Sequence, residues 1–542
     1  MKKSLMILLV FVLAFTVLIS ACSNSVKEEE TNAEVTKANE TASAAQADAD
    51  AANKAAEQAE ADKAAADLAV EKATADKVAA ETALAAAKTD SEKLLAEKAL
   101  AEAAAIETAK ADAAAKAAAN AAANAAASAA AAAAKAAAEV KGKLVVWTWD
   151  GHMTKDAENF KKQFPNVELD LQVVPGFFTK IKQALTTGVG LPDVIMVENG
   201  QYGEFAQNSK FVNLLEAPYN AGELKSQFLT FWYNNGLSLS GEELRIFPRA
   251  PGMGAAFYRR DVAKKAFGTD DPAALEKLLP NLNAIIANAK SFKEKVGPNS
   301  SIMSGADTLF NLALKQQGKA LYDVKTNSFD ANRLKEPFNL AARGIAAGIK
   351  PTSAAFWDDM KAGNWLFHPD GSWGEAYTIK AGLGTDEKTG KPNQNGLWGV
   401  MSTPGGNVNN GGNGLAILST SKNKTAAWAF VKSLALDVDV AVNYMREVAV
   451  YPALIAAQKS DYFNEPVEFF AGQKARLKYG ELAKNTIQIP VTPYDSAIQG
   501  IINKYIGTVL EGKMTADIAI QTIADEVRKE VGIDALPAAV KK

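Results

Sequence analysis

Aromatic residues recur beside carboxylates and amides in this chain. Trp147 and Trp149 precede Asp150, Tyr202 follows Glu198 and Asn199, and Trp232-Tyr233 precede Asn234-Asn235. Later come Phe356-Trp357-Asp358-Asp359, Asn364-Trp365 and Gly371-Ser372-Trp373-Gly374-Glu375. A sugar ring has one apolar C–H face and a rim of hydroxyls. An aromatic face covers the first, while carboxylate, amide and guanidinium groups serve the second. Trp149 and Trp373, both beside glycine turns, are expected to touch such a ligand. Trp398 and Trp428, inside strand and helix patterns, are expected in the core.

Other chemistries find less support. Gly252-x-Gly254 follows a strand, but the third glycine of a dinucleotide fingerprint would fall on Phe257, and no GxxxxGK[ST] loop is present. The two histidines, His152 and His368, pair with Asp150 and Asp370 in sequence, and each pair is short of a metal-ligand set. No Ser-His-Asp arrangement or reactive thiol stands out. A glycosidase-like carboxylate pair is not marked by spacing, although acidic residues are plentiful. The formal charge of -3 on 59 basic and 62 acidic residues offers no field for nucleic acid. A binding protein with no cofactor or metal is the expectation, with no catalytic residue.

The one cysteine, Cys22, follows an apolar run from Leu5 to Ile19 that is preceded by Lys2 and Lys3. This is the pattern of an export signal, and Ser20-Ala21 before Cys22 suits cleavage that leaves an acylated cysteine. Residues 1–21 are therefore read as a lipoprotein signal peptide. Cys22 is read as the lipid attachment to the bilayer, on the extracytoplasmic side of a cell membrane. Residues 22–142 then form an Ala/Lys/Glu-rich spacer: 27 of the forty residues 101–140 are alanine, the best helix former. No turn signal marks a hairpin here. The expected form is a solvated helical rod reaching about 135 Å over 90 residues, with a self-associating coiled coil or a two-helix hairpin as alternatives.

All 37 glycines, 19 prolines and 8 tryptophans follow residue 140. The remaining chain is too long for one growing core, so two lobes are expected. Lys143–Trp149 reads as a buried strand, 154–164 as a helix, Val167–Val173 as a second strand, 177–185 as a helix and Pro192–Val197 as a third strand. That alternation predicts an open α/β sheet. Ligands in such sheets sit beyond the strands' carboxyl ends, which nominates Trp149-Asp150-Gly151 and Glu198-Asn199. Leu244–Pro248 and Gly254–Tyr258 read as strands, 272–363 as mainly helical, and Leu397–Met401 and Leu415–Leu418 as strands.

In this order the motifs resemble the sugar-binding class of extracellular solute-binding lipoproteins, which deliver substrate to ATP-driven importers. The segments concerned are Lys143–Asp150, Leu191-Pro-Asp-Val-Ile195, Phe247–Gly252 with Phe257–Asp261, and Gly411–Ile417 with Ser421–Lys424 and Ala427–Phe430. The resemblance implies two α/β lobes, as in periplasmic binding proteins of the maltose and oligosaccharide type, joined at a hinge near Pro248–Gly252 and Pro404–Gly412. Lobe 1 would hold about 143–248 and 414–468, and lobe 2 about 254–405 and 469–542. It implies a carbohydrate held in the cleft and passed to ABC permease subunits, and by position Asp150, Glu198, Arg249, Trp373 and Asn413 as ligand residues, with Tyr202 and Trp232 as secondary candidates. Two features depart from the family pattern: the Ala-rich stalk, and Arg249, a strong donor near the hinge that leaves room for an acidic ligand. The alternatives are a lipid-anchored carbohydrate-active enzyme and a stalked surface adhesin.

Overall fold

The computed structural model describes residues 74–537 together with Leu68, Glu71 and Lys72. The signal peptide and the lipid attachment at Cys22 lie outside the described residues. The chain divides into two units, the first ending at Glu139 and the second beginning at Val140.

In the first unit, residues 74–86 are helical and the chain then reverses at 87–89 into α1 (Asp90–Glu139). A helical rod was the expected form, with a two-helix hairpin as an alternative, and the described chain turns. The cause is a capping box. Glu92 accepts hydrogen bonds from the backbone N–H groups of Lys88 (3.0 Å) and Thr89 (2.8 Å), while the Glu92 N–H donates to the Thr89 hydroxyl (3.3 Å). Thr-x-x-Glu satisfies N–H groups that a new helix leaves open, so it starts a helix without needing glycine or proline. The two helices meet where the Thr74 hydroxyl donates to Glu107 (3.3 Å) and Lys77 pairs with Glu107 (3.5 Å).

The second unit is built on two mixed sheets. The first has five strands: β1 (Gly142–Thr148), β2 (Val167–Val173), β3 (Val194–Glu198), β4 (Phe247–Pro251) and β11 (Gly412–Ile417), in the order β2-β1-β3-β11-β4. β1 runs parallel to β2 and β3, and β11 runs antiparallel to β3 and β4. Val194, Ile195, Met196 and Val197 are wholly buried, as a strand covered on both faces requires. β4 carries Pro248 and Pro251 and extends beyond the expected stop at Pro248. It can do so because it is an edge strand, where a missing N–H leaves no ladder bond unmade.

The second sheet comprises β5 (Gly254–Arg259), β6 (Ser301–Met303), β9 (Trp365–Gly371) and β10 (Trp398–Met401), in the order β10-β5-β9-β6. β6 lies within the stretch expected to be mainly helical. β7 (Tyr322–Asp323), β8 (Ser328–Asp330) and β12 (Asp534–Leu536) form a small third sheet. One apolar cluster fills the first lobe and reaches one face of the second sheet through Phe257, Trp365 and Trp398. Another fills the remainder of the second lobe, around Ile302, Phe310, Ile502 and Ile523.

The chain passes from β4 to β5 through Gly252-Met253 and returns through 402–411. At Gly252 an added Cβ would lie 2.2 Å from the Asn410 carbonyl oxygen, and at Gly254 2.0 Å from that of Val408. The two crossings therefore run backbone against backbone, a packing only glycine permits.

Candidate ligand cleft

Asp150 leaves the end of β1 and is almost fully buried. One carboxylate oxygen accepts the His152 backbone N–H (3.0 Å) and the Tyr377 hydroxyl (3.2 Å), and the other accepts the Tyr444 hydroxyl (2.9 Å). Tyr377 sits on the helix Glu375–Lys380, which follows β9 of the second sheet. Its bond to Asp150 therefore ties one lobe to the other. Tyr444 comes from the helix Val438–Val448 and also accepts from the Asn413 side-chain amide (3.1 Å). Burial first, then the Asp150 carboxylate, pushes both phenols well above their usual range, so they act as donors and not as anions.

Arg249, in β4, lies with its guanidinium 3.7 Å from the centre of the Tyr444 ring. It forms a buried ion pair with Asp156 of the helix Met153–Gln163. Burial lifts the Asp156 carboxyl above its usual range, and the Arg249 charge opposes that rise. Arg249 is therefore matched by its own buried counter-ion. Its second terminal nitrogen is buried without a hydrogen-bond partner.

A second cluster lies beside the return crossing. The Lys315 ammonium, at the end of the helix Ala306–Lys315, donates to the Asn410 amide oxygen (2.9 Å), and the Asn410 amide N–H donates to Asp370 (3.1 Å). Asp370 ends β9 and also accepts from the Thr378 hydroxyl and the Gly371 N–H, both at 2.7 Å. Burial outweighs these bonds and pushes its carboxyl up to about 6. Burial lowers the Lys315 ammonium against the opposing charges of Asp370 and Glu198. Glu198, at the end of β3, accepts the Gly200 N–H (2.6 Å), yet burial still raises it.

Trp373 lies over the crossing, its indole N–H donating to the Asn410 carbonyl (2.6 Å), and packs against the first core cluster. Trp149 is half-buried against Phe177 and Phe178, with ring centroids 5.4 Å away in each case. Tyr202 and Trp232 are wholly buried, with ring centroids 4.9 Å apart. The Trp232 N–H donates to the Asn413 carbonyl (3.2 Å), so this pair supports β11 from behind. Asn413 itself is buried with its amide oxygen unpartnered, and so are the Asn409 amide oxygen and the Ser372 hydroxyl.

The structure thus brings Asp150, Arg249 and Asn413 into one network and places Glu198 and Trp373 beside a second. Tyr377, Tyr444, Asp156, Lys315 and Asn410 were not singled out from sequence. Tyr377 lies just beyond the Gly371–Glu375 motif, which is the one local signal that could have found it. The histidines turn elsewhere: His152 lies 3.4 Å from Glu447, and His368 is bonded to Ser304 (2.8 Å), its ring pushed down to about 4 by burial. Among the described residues, no three His, Cys, Asp or Glu side chains group as metal ligands.

A profile of the family "Bacterial extracellular solute-binding protein" matches residues 155–471. A lactose-binding protein of Rhizobium radiobacter is 24% identical over 417 residues, covering 72% of this chain and 91% of that protein. The crystal structure of an extracellular solute-binding protein of family 1 superposes with a TM-score of 0.63 at 21% identity, covering 71% of this chain and 99% of that one. The sugar-binding protein MalE of Xanthomonas citri gives 0.58 at 18% identity, with 72% and 97% covered. The galacto-N-biose-/lacto-N-biose I-binding protein of Bifidobacterium longum, solved with lacto-N-biose, gives 0.55 at 18% identity, with 73% and 99% covered. The second unit has the two-lobed fold of these proteins.

Proposed function

The chain belongs to the bacterial extracellular solute-binding proteins, and from that premise we propose that it binds a neutral sugar or oligosaccharide between its lobes and hands it to a membrane ABC permease. The observation that carries the neutral-ligand reading is the Arg249–Asp156 pair. A buried arginine already matched by a buried carboxylate has no net charge to offer an acidic ligand. What the cleft does offer is acceptors and donors side by side. Asp150, Glu198 and Asp370 accept, Lys315 donates, and Asn409 and Asn413 present unpartnered amide oxygens. Sugar hydroxyls both donate and accept, so they suit such a mixed rim. Trp373 and Trp149 supply apolar faces at its edges. Lactose and lacto-N-biose, the sugars named for two of these relatives, are neutral saccharides as well.

Binding shifts an open–closed equilibrium, because a ligand touching both lobes favours the closed form. No bond in the ligand is made or broken. Acylated Cys22 holds the protein at the membrane where the permease resides. The test is a thermal-shift series with neutral di- and oligosaccharides beside uronic acids. A bound ligand raises the melting temperature by an amount that grows with the logarithm of its concentration over its Kd. A rise with neutral sugars, and their recovery intact after incubation, is expected. A rise with uronic acids alone would overturn the neutral assignment. Cleaved sugar would favour the enzyme reading.

A further inference from the structure

The helix Phe177–Thr187, which follows β2, buries Phe177, Ile181, Ala184 and Leu185. Its outer face carries Phe178, Lys182 and Thr186 at four-residue spacing, which sets them in one exposed row. Between this row and Gln201 lies an open groove of about 520 Å³, within the range of roughly 300–1,000 Å³ typical of small-molecule sites. Two of its walls adjoin cleft residues. The Phe178 ring is 40% exposed and lies 5.4 Å from that of Trp149, just beyond β1. Gln201 ends the turn Asn199–Gln201, which directly follows Glu198.

The groove repeats the chemistry of the cleft. Phe178 offers an aromatic face, and Gln183 an exposed amide. The Thr186 hydroxyl donates to the Lys182 carbonyl (2.8 Å), which leaves its oxygen free to accept. The Gln201 amide oxygen is buried without a hydrogen-bond partner, and turning that amide toward a hydroxyl in the groove would supply one. The one charged lining residue, Lys182, is matched by Glu204 (2.7 Å). Uncharged polar groups around an aromatic face suit a neutral pyranose and not an anion.

We propose that this groove is an outer subsite for a further sugar unit, so that the saccharide held in the cleft is an oligosaccharide whose outer unit lies against Phe178 and Gln201. The proposal rests on the reading of the cleft as a sugar site. Every residue lining the groove lies between positions 178 and 201, in the first lobe. A unit bound there meets the same contacts whether the lobes are open or closed. It therefore adds affinity without moving the open–closed equilibrium. The cleft drives closure, and the groove reads chain length.

The test is calorimetry on the full chain with two neutral series: lactose with its galactosyl-extended tri- and tetrasaccharides, and maltose with maltotriose and maltotetraose. In at least one series, affinity is expected to rise about tenfold from di- to tetrasaccharide, the scale of one aromatic contact. Phe178→Leu keeps an apolar side chain against Trp149 but removes the flat face. It should abolish that rise and leave disaccharide affinity within about twofold, whereas Phe178→Tyr should retain the rise. Gln183→Ala with Thr186→Ala, both on the exposed face of the helix, should reduce it. Spin labels at Lys161→Cys and Lys388→Cys in a Cys22→Ser background should give the same lobe distance with saturating di- and tetrasaccharide. Disaccharide binding with no length effect overturns the groove alone and leaves the cleft reading standing. A length effect that Phe178→Leu spares, or a lobe distance that shifts with chain length, overturns the groove as well. Binding of no sugar in either series overturns both.

Discussion

Tyr377→Phe removes one hydroxyl, and with it the hydrogen bond that the second lobe makes to Asp150. A hydrogen bond to a charged group contributes about 1.5–3 kcal/mol. Tyr377 is 42% exposed, so water competes for its hydroxyl, and the lower end, about 1.5 kcal/mol, is the better figure. That is about a tenfold shift of the closed–open equilibrium toward open. Asp150 keeps its bonds to Tyr444 and to the His152 N–H, so the rest of the site is left in place. Apparent sugar affinity falls with the fraction of closed protein, by up to the same tenfold. Labels at Lys161 and Lys388 in a Cys22→Ser background report lobe separation, and calorimetry reports affinity. A double-mutant cycle with Asp150→Asn isolates the pair, and a coupling of about 1 kcal/mol is expected for groups in contact. Purely additive effects, or an unchanged lobe distance together with affinity within twofold of the parent, would refute the idea that this bond latches the lobes.

Trp373→Ala should weaken sugar binding by more than about tenfold, read by calorimetry. It should also lower the melting temperature of the free protein, because the indole packs on the core and bonds Asn410. Trp373→Phe should recover most of the affinity if the ring face is what matters. Arg249→Met strands Asp156 and should cost about 3–5 kcal/mol, with much of that regained when Asp156→Leu is added, both read as unfolding midpoints. Asp370 has its carboxyl raised from 3.8 to about 6, so the folded state holds its proton more tightly than the unfolded chain does. Its contribution is full below about pH 4 and is lost as pH rises through about 6, to the extent of roughly 3 kcal/mol. Asp370→Asn should therefore flatten the stability difference between pH 4 and pH 6.5, and an unchanged slope would remove Asp370 as its source.

Strands β1, β2 and β3 were legible because each is a compact apolar or alternating run set off by turn residues, and burial of such runs is a local pattern. β4 was read as ending at Pro248 because proline normally stops a strand. That it continues depends on its place at the sheet edge, which no local pattern reports. β6 was lost in a helical stretch because three residues give no period to read. In the stalk, the absence of glycine and proline suggested one uninterrupted helix, and Thr89-x-x-Glu92 was the overlooked signal. Within the cleft, residues after strand ends were nominated by topology. Tyr444 and Lys315 project from helices whose sequence pattern marks no special position.

By itself the sequence determined the break in composition near residue 140, an alanine helix on one side and an α/β chain on the other, since propensity and periodicity are properties of neighbouring residues. It also nominated Asp150 and Glu198 at strand ends, the positions beyond which ligands of open α/β sheets sit. The tertiary structure alone decided what those groups meet. From sequence Arg249 was a strong donor near the hinge that left room for an acidic ligand; only the fold brings Asp156, 93 positions away, against it as a partner. Tyr377 reaches Asp150 across 227 positions. The Coulomb energy and hydrogen bonding of a buried group depend on distance in space and on desolvation, and neither is written in the order of residues along the chain.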